Sequence, residues 1–266
     1  MLYKASGGSV KVGESSMDYI CFGKGSIPLV IIPGLSFNRV KGMALPMALS
    51  YQIFAKDFKV YLFDRKDEIP EGYSIRDIAD DTAVAMKKLG AFNAHILGVS
   101  QGGAVAQYLA VYYPELVRSI ALGVSYSRCN FTVNEVVNNW ISDAREGKLD
   151  KIAEEMMPLM YSDSYIKKYK MMIPILAKMA KRADEERFRI LAESCLSCDI
   201  YDQLDKVKCP CLVIGGAEDK IVGREASVEI AEKLGCELHI YENLGHAAYE
   251  EAADFNKRIY DFFKKH

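Results

Sequence analysis

Gly98-Val99-Ser100-Gln101-Gly102-Gly103 decides the reading of this chain. It follows the apolar run Ala94-His95-Ile96-Leu97 and precedes the small-residue run Ala104-Val105-Ala106. The pattern sets a serine at a strand-to-helix corner, with glycines two residues away on each side. Such a corner turns too sharply for ordinary residues. The serine takes a strained conformation, and bulk at the flanking positions would collide with the neighbouring strand and helix. The geometry lifts the hydroxyl above the sheet and points the first helical N–H groups at whatever sits on it. This short stretch therefore proposes a nucleophile and half of an oxyanion hole.

Outward from that corner the first half of the chain alternates strand and helix signals. Ser9-Val10-Lys11-Val12 and Met17 to Phe22 read as opening strands joined by a Gly13-Glu14 turn. Pro28 to Ile32 is a continuous apolar run of the kind buried on both faces, and it ends at Pro33-Gly34-Leu35-Ser36. A helix through the forties and fifties leads to the strand Lys59 to Asp64. Ser74, with Asp77 three residues on, reads as a capped helix start, and Leu89-Gly90 as its stop. The helix after the serine corner runs to Tyr113-Pro114, and the strand Val117 to Val124 follows.

The alternation stops between Cys129 and Val207, where the periodicity is helical, with Pro158 and Pro174 breaking or starting helices. It resumes with the strand Cys211 to Gly216, a helix from Arg224 to Leu234, the strand Glu237 to Tyr241 and a last amphipathic helix from Ala248 to Phe263. Alternation of this kind predicts a mostly parallel, doubly wound α/β sheet. The expected organisation is a core of residues 1–128 and 208–266 interrupted by a helical insertion at 129–207.

Bulk composition narrows the function classes. A chain of 266 residues with half its residues apolar and a formal net charge of −2 carries no electrostatic footprint for nucleic acid. The N-terminal stretch lacks the apolar core of a signal peptide, and no run approaches the roughly 20 apolar residues that span a bilayer. A cytoplasmic location without stable membrane association is the expectation. Seven cysteines suggest reduced thiols. Cys195-x-x-Cys198 and Cys209-x-Cys211 have zinc-like spacings, but one pair falls on an apparent helix and the other at a strand start. Small buried side chains are the preferred reading, and no metal is expected.

A serine hydroxyl needs a base to take its proton, and the base needs a third group to orient it. There are four histidines. His95 begins the strand into the serine, His239 alternates with apolar residues inside a strand, and His266 is the last residue. His246 follows the last predicted strand directly, where a base must lie to face a serine at another strand's end. For the acid, Glu218 and Asp219 compete in the loop after Gly215-Gly216. Asp219 is favoured as the residue further into the loop. The order is Ser100, Asp219, His246.

In these motifs the chain resembles the α/β-hydrolase fold superfamily, in the group of esterase- and lactonase-like serine hydrolases with a helical cap after the sixth strand. Gly98-x-Ser100-x-Gly102-Gly103, the Gly-x-x-Asp ending at Asp219 and the Gly245-His246 pair carry the resemblance, which covers nearly the whole length. It implies a second oxyanion donor, the backbone N–H of Leu35, beside that of Gln101. Relatives often have His-Gly in that loop, and here Pro33-Gly34 stands instead. After Asp64, where relatives often continue Arg-Gly, this chain has Arg65-Lys66-Asp67-Glu68.

The resemblance makes the insertion a cap shaping the pocket. Met156, Met160, Met172 and Leu176 are candidate pocket residues. The basic cluster Lys167-Lys168-Tyr169-Lys170, with Lys178, Lys181 and Arg182, reads as a solvated face rather than a site for anionic lipid. The expected activity is hydrolysis of a small, fairly apolar carboxylic ester, thioester or lactone, with no cofactor. Hydrolysis of a carbon–carbon bond in a vinylogous diketone, acyl transfer to an alcohol, and a low-turnover small-molecule receptor are the alternatives. The expected partner is a small-molecule substrate, and the expected assembly a monomer or homodimer.

Overall fold

The computed structural model describes residues 3–173, 175, 178 and 183–266. Pro174, Leu176, Lys181 and Arg182, all singled out above, lie outside the described residues.

Eight strands form one sheet: β1 Ser6–Val12, β2 Ser15–Phe22, β3 Ile27–Ile32, β4 Phe58–Lys66, β5 Ala94–Val99, β6 Val117–Gly123, β7 Cys211–Gly216 and β8 Glu237–Tyr241. Their spatial order is β1-β2-β4-β3-β5-β6-β7-β8. The β1–β2 and β2–β4 pairs are antiparallel, and every pair from β4 to β8 is parallel. The parallel pairs leave no room for hairpins, so helices cross over both faces. Every residue of β5 and β7 is buried, as their unbroken apolar runs require.

The helices are α1 Ala44–Ser50, α2 Ile75–Lys88, α3 Gln101–Tyr112, α4 Phe131–Arg145, α5 Leu149–Met160, α6 Asp163–Tyr169, α7 Glu185–Leu196, α8 Arg224–Leu234, α9 Ala248–Glu251 and α10 Phe255–Lys265. Two apolar layers sandwich the sheet. One joins α2, α3 and α8 through residues such as Ile78, Leu109 and Ile230, and runs on into the helices between β6 and β7. The other packs Phe255, Ile259 and Phe263 of α10 with Phe54 and Phe58 against the opposite face. The architecture is the doubly wound α/β sheet read from the sequence.

Local signals behave as their chemistry demands. Ser74 and Asp77 form a reciprocal capping box at the start of α2, satisfying two otherwise orphaned N–H groups. Gly90, at φ +69°, ends that helix. Two expectations need correction. Pro158 neither breaks nor starts a helix but sits inside α5, close enough to its end that only the last turn lacks a bond. The final helix is two helices, because Ala252 turns extended at ψ 115° between α9 and α10. No helix among the described residues is long and apolar enough to cross a membrane.

Candidate active site

Ser100 stands between β5 and α3 at φ 53° and ψ −122°, a left-handed conformation for a residue with a side chain. Its strain is held by packing that only glycine permits. A Cβ on Gly98 would meet the Gly102 carbonyl oxygen at 2.4 Å, and one on Gly102 would meet that of Ile32 at 2.0 Å. The Ser100 N–H donates to the Gly123 carbonyl at 2.9 Å, and the Ser125 hydroxyl donates to the Ser100 carbonyl at 2.8 Å. Strand β6 and its following residues thus brace the corner.

His246 follows β8, and its ring spans the remaining gap. Nε2 lies 2.9 Å from the Ser100 Oγ, while Nδ1 lies 2.8 Å from an Asp219 carboxylate oxygen. Both His246 and Asp219 are buried. The other Asp219 oxygen accepts from the backbone N–H groups of Ile221 at 2.9 Å and Val222 at 3.0 Å. Burial pushes this carboxyl up, but the His246 ring and those two N–H groups outweigh it and hold its pKa below the ordinary carboxylate value. An ionised Asp219 fixes the tautomer with a proton on Nδ1, leaving Nε2 free to accept the serine proton. Glu218, the competing acid, does not bond His246. The remaining histidines are elsewhere: His95 is buried against the Ser119 hydroxyl at 2.8 Å, and His239 stacks edge-on to Tyr241.

The loop after β3 comes close to Ser100. A Cβ on Gly34 would sit 3.2 Å from that of Ser100, so glycine lets the backbone approach. The next residue, Leu35, has no backbone acceptor for its N–H among the described residues. Gln101 is the first residue of α3, where a helix offers its own N–H no partner. Two unpaired donors therefore flank Ser100.

Above them lies a cavity of about 40 Å³ lined by Leu35, Ser100, His246 and Tyr249. Its roof comes from the helices between β6 and β7: Val133, Val137 and Trp140 of α4, Met156 and Met160 of α5, and Cys195 of α7. Of the candidate pocket methionines, Met156 and Met160 line the cavity. Met172 does not: it is 47% exposed, on a segment turned to solvent. Leu176 lies outside the described residues. The stripe of Val133, Val137 and Trp140, spaced four and three residues apart, is the pocket signal missed in the sequence. Tyr126, Ile221, Val222 and Tyr249 sit in irregular segments or on a one-turn helix, with no periodicity to reveal them.

The arrangement sets a hydroxyl, an imidazole and a carboxylate in one hydrogen-bonded line beside two N–H groups without partners, a set of groups suited to attack by a hydroxyl on a carbonyl carbon. Comparison with known proteins agrees in kind. A 2-hydroxy-6-oxononadienedioate/2-hydroxy-6-oxononatrienedioate hydrolase of Burkholderia vietnamiensis is 25% identical over 191 residues, covering 69% of this chain and 66% of its own. A monoacylglycerol lipase of Homo sapiens is 28% identical over 183 residues, 63% of this chain and 54% of its own. The chain thus spans between about half and two thirds of these relatives' lengths. The crystal structure of an enol-lactonase from Burkholderia xenovorans superposes with a TM-score of 0.84 at 21% identity, covering 97% of this chain and all of that one. The sequence profile of the alpha/beta hydrolase fold matches residues 27–253, from β3 past His246, and by that match the chain belongs to the alpha/beta hydrolase fold family.

Proposed function

We propose that this protein is a serine hydrolase that cleaves a small, uncharged, apolar carboxylic ester, thioester or lactone through an acyl-enzyme on Ser100. The observation that carries the reading is the His246 ring bonded to Ser100 on one side and Asp219 on the other, beneath an apolar cavity. The Ser100 oxygen attacks the carbonyl carbon as its proton passes to His246 Nε2. The carbonyl electron pair moves to oxygen, where the Leu35 and Gln101 N–H groups receive it. Collapse expels the alcohol or thiol with the proton from Nε2. Water then repeats the attack on the acyl carbon and releases the acid. In this reading residues 129–207 act as a cap over a core formed by 1–128 and 208–266.

The lining supports a neutral substrate. It contains no lysine or arginine among the described residues, so a substrate carboxylate would enter without a counter-charge. That favours ester or lactone cleavage over the dioate named for the Burkholderia vietnamiensis relative.

Ser100→Ala and His246→Ala are expected to lower kcat on short p-nitrophenyl esters by about 10⁴-fold or more, since such groups act as a unit. A fluorophosphonate probe is expected to label the wild type on Ser100 alone. Undiminished turnover in either variant would sink the assignment.

A further inference from the structure

Arg65 is a buried cation that the triad does not use. The residue is 4% exposed, yet its guanidinium makes no ion pair among the described residues, and its Nε has no partner. Burial lowers its pKa, with Asp64 opposing at longer range. Keeping such a charge out of water is costly unless something in its surroundings repays it.

Its bonds say what repays it. The Nη2 amino group donates to the Pro33 carbonyl at 2.7 Å and to Gln101 Oε1 at 2.9 Å. Pro33 leads into Gly34-Leu35, and Gln101 opens α3, so one nitrogen ties together the two segments that carry the unpaired N–H groups beside Ser100. The Gln101 amide cannot flip away from this bond. Its Nε2 is committed to the Leu191 carbonyl at 2.8 Å and the Ser194 hydroxyl at 3.0 Å, both on α7.

We propose that Arg65 is a positioning residue for the oxyanion hole: it holds the Leu35 and Gln101 donors in mutual register and lends the site a buried positive charge. The counter-charge is the oxyanion itself, which exists only in the tetrahedral intermediate. A neutral ester carbonyl gains little from that field, so the effect falls on the transition state rather than on substrate binding. Lysine does not substitute, because its ammonium ends one atom short of Nη2. The inference rests on the acyl-enzyme reading above.

Arg65→Lys and Arg65→Met, assayed on a short p-nitrophenyl ester, test it with two inhibitors. A trifluoromethyl ketone forms a tetrahedral oxyanion adduct on Ser100, and the corresponding secondary alcohol cannot. Both variants are expected to lose about 10- to 100-fold in kcat, less than a full oxyanion donor is worth, with KM changed by less than about twofold. Ketone affinity should fall in parallel with kcat, and alcohol affinity should hold. A merely structural arginine would lower thermal stability without moving the ratio of the two affinities. Wild-type kcat in Arg65→Lys overturns the proposal, and so does a loss of kcat without a matching loss of ketone affinity. If Arg65→Met fails to fold, Arg65→Lys decides alone. Fluorophosphonate labelling separates the two levels. A wild type that neither labels nor turns over ester defeats the acyl-enzyme reading and this one with it. A labelling wild type with unaffected variants defeats only the role of Arg65.

Discussion

Acid tolerance at the residue scale turns on His95. Burial, with Arg118 and His266 adding to it, pushes its pKa down to about 4. In the unfolded chain an ordinary histidine titrates near 6.5. Between those values the unfolded state binds the extra proton, so stability is full above about 6.5 and falls as pH drops toward about 4, by up to about 1.4 kcal/mol per pH unit. His95→Gln is expected to flatten that slope while lowering stability uniformly at neutral pH. Urea unfolding midpoints across the range check it, and an unchanged slope would assign the proton elsewhere. The same scale marks what a sequence reveals about a site. Ser100, Asp219 and His246 were legible because each follows the end of a strand with a clear apolar run, Ser100 between flanking glycines and His246 as one of only four histidines. Arg65 and Ser125 were not, because both act through backbone carbonyls of Pro33 and Ser100, and no residue pattern says which carbonyl a side chain will meet.

Among elements, α7 joins the helices between β6 and β7 to the end of β4 through Arg187. Arg187 donates to the carbonyls of Lys66 at 2.7 Å, Arg65 at 3.0 Å and Asp67 at 3.1 Å, and it pairs with Asp64 at 3.3 Å. Deleting the guanidinium takes a donor from three carbonyls, while Asp64 keeps the N–H groups of Val40 at 3.0 Å and Arg65 at 2.7 Å and the Arg39 guanidinium at 3.6 Å. Arg187→Met is therefore expected to cost about 1–3 kcal/mol, the usual result of leaving buried carbonyls without a donor, as measured by denaturant unfolding. A loss below about 1 kcal/mol would mean that the contact is worth no more than a surface ion pair. A second join lies at the α5–α6 corner, where the Ser162 N–H donates to Glu251 and the Ala247 N–H to the Met160 carbonyl. Helix positions were readable from caps and glycines, as at α2 and α8. The break at Ala252 was not, since Ala252-Ala253-Asp254 contains no helix breaker; the turn coincides with Phe255 entering the core beneath the sheet.

For the whole molecule, substrate size follows from a partition. Trp140 lines the cavity of about 40 Å³ over Ser100 and also an outer groove of about 310 Å³ formed with Thr132, Glu135, Asn139, Glu155 and Lys220. Trp140 is the residue that the two linings share. Trp140→Ala is expected to shift the optimum of an ester chain-length series toward longer acyl groups, at a stability cost of about 3–5 kcal/mol. Each accommodated methylene changes discrimination by about 10- to 200-fold, well within reach of steady-state assays. An unchanged optimum would place the limiting wall elsewhere in the roof.

The bond between Ser100 and His246 joins residues 146 positions apart. A ribosome adding about 5–20 residues per second therefore delivers Ser100 roughly 7–30 s before His246. During that interval strands β1 to β6 can pair with the serine corner already in place, but no imidazole accepts its proton. Under the proposed acyl-enzyme reading the nascent protein would be silent toward esters until β7 and β8 had joined the sheet, and hydrolytic activity would report completed folding rather than synthesis of Ser100.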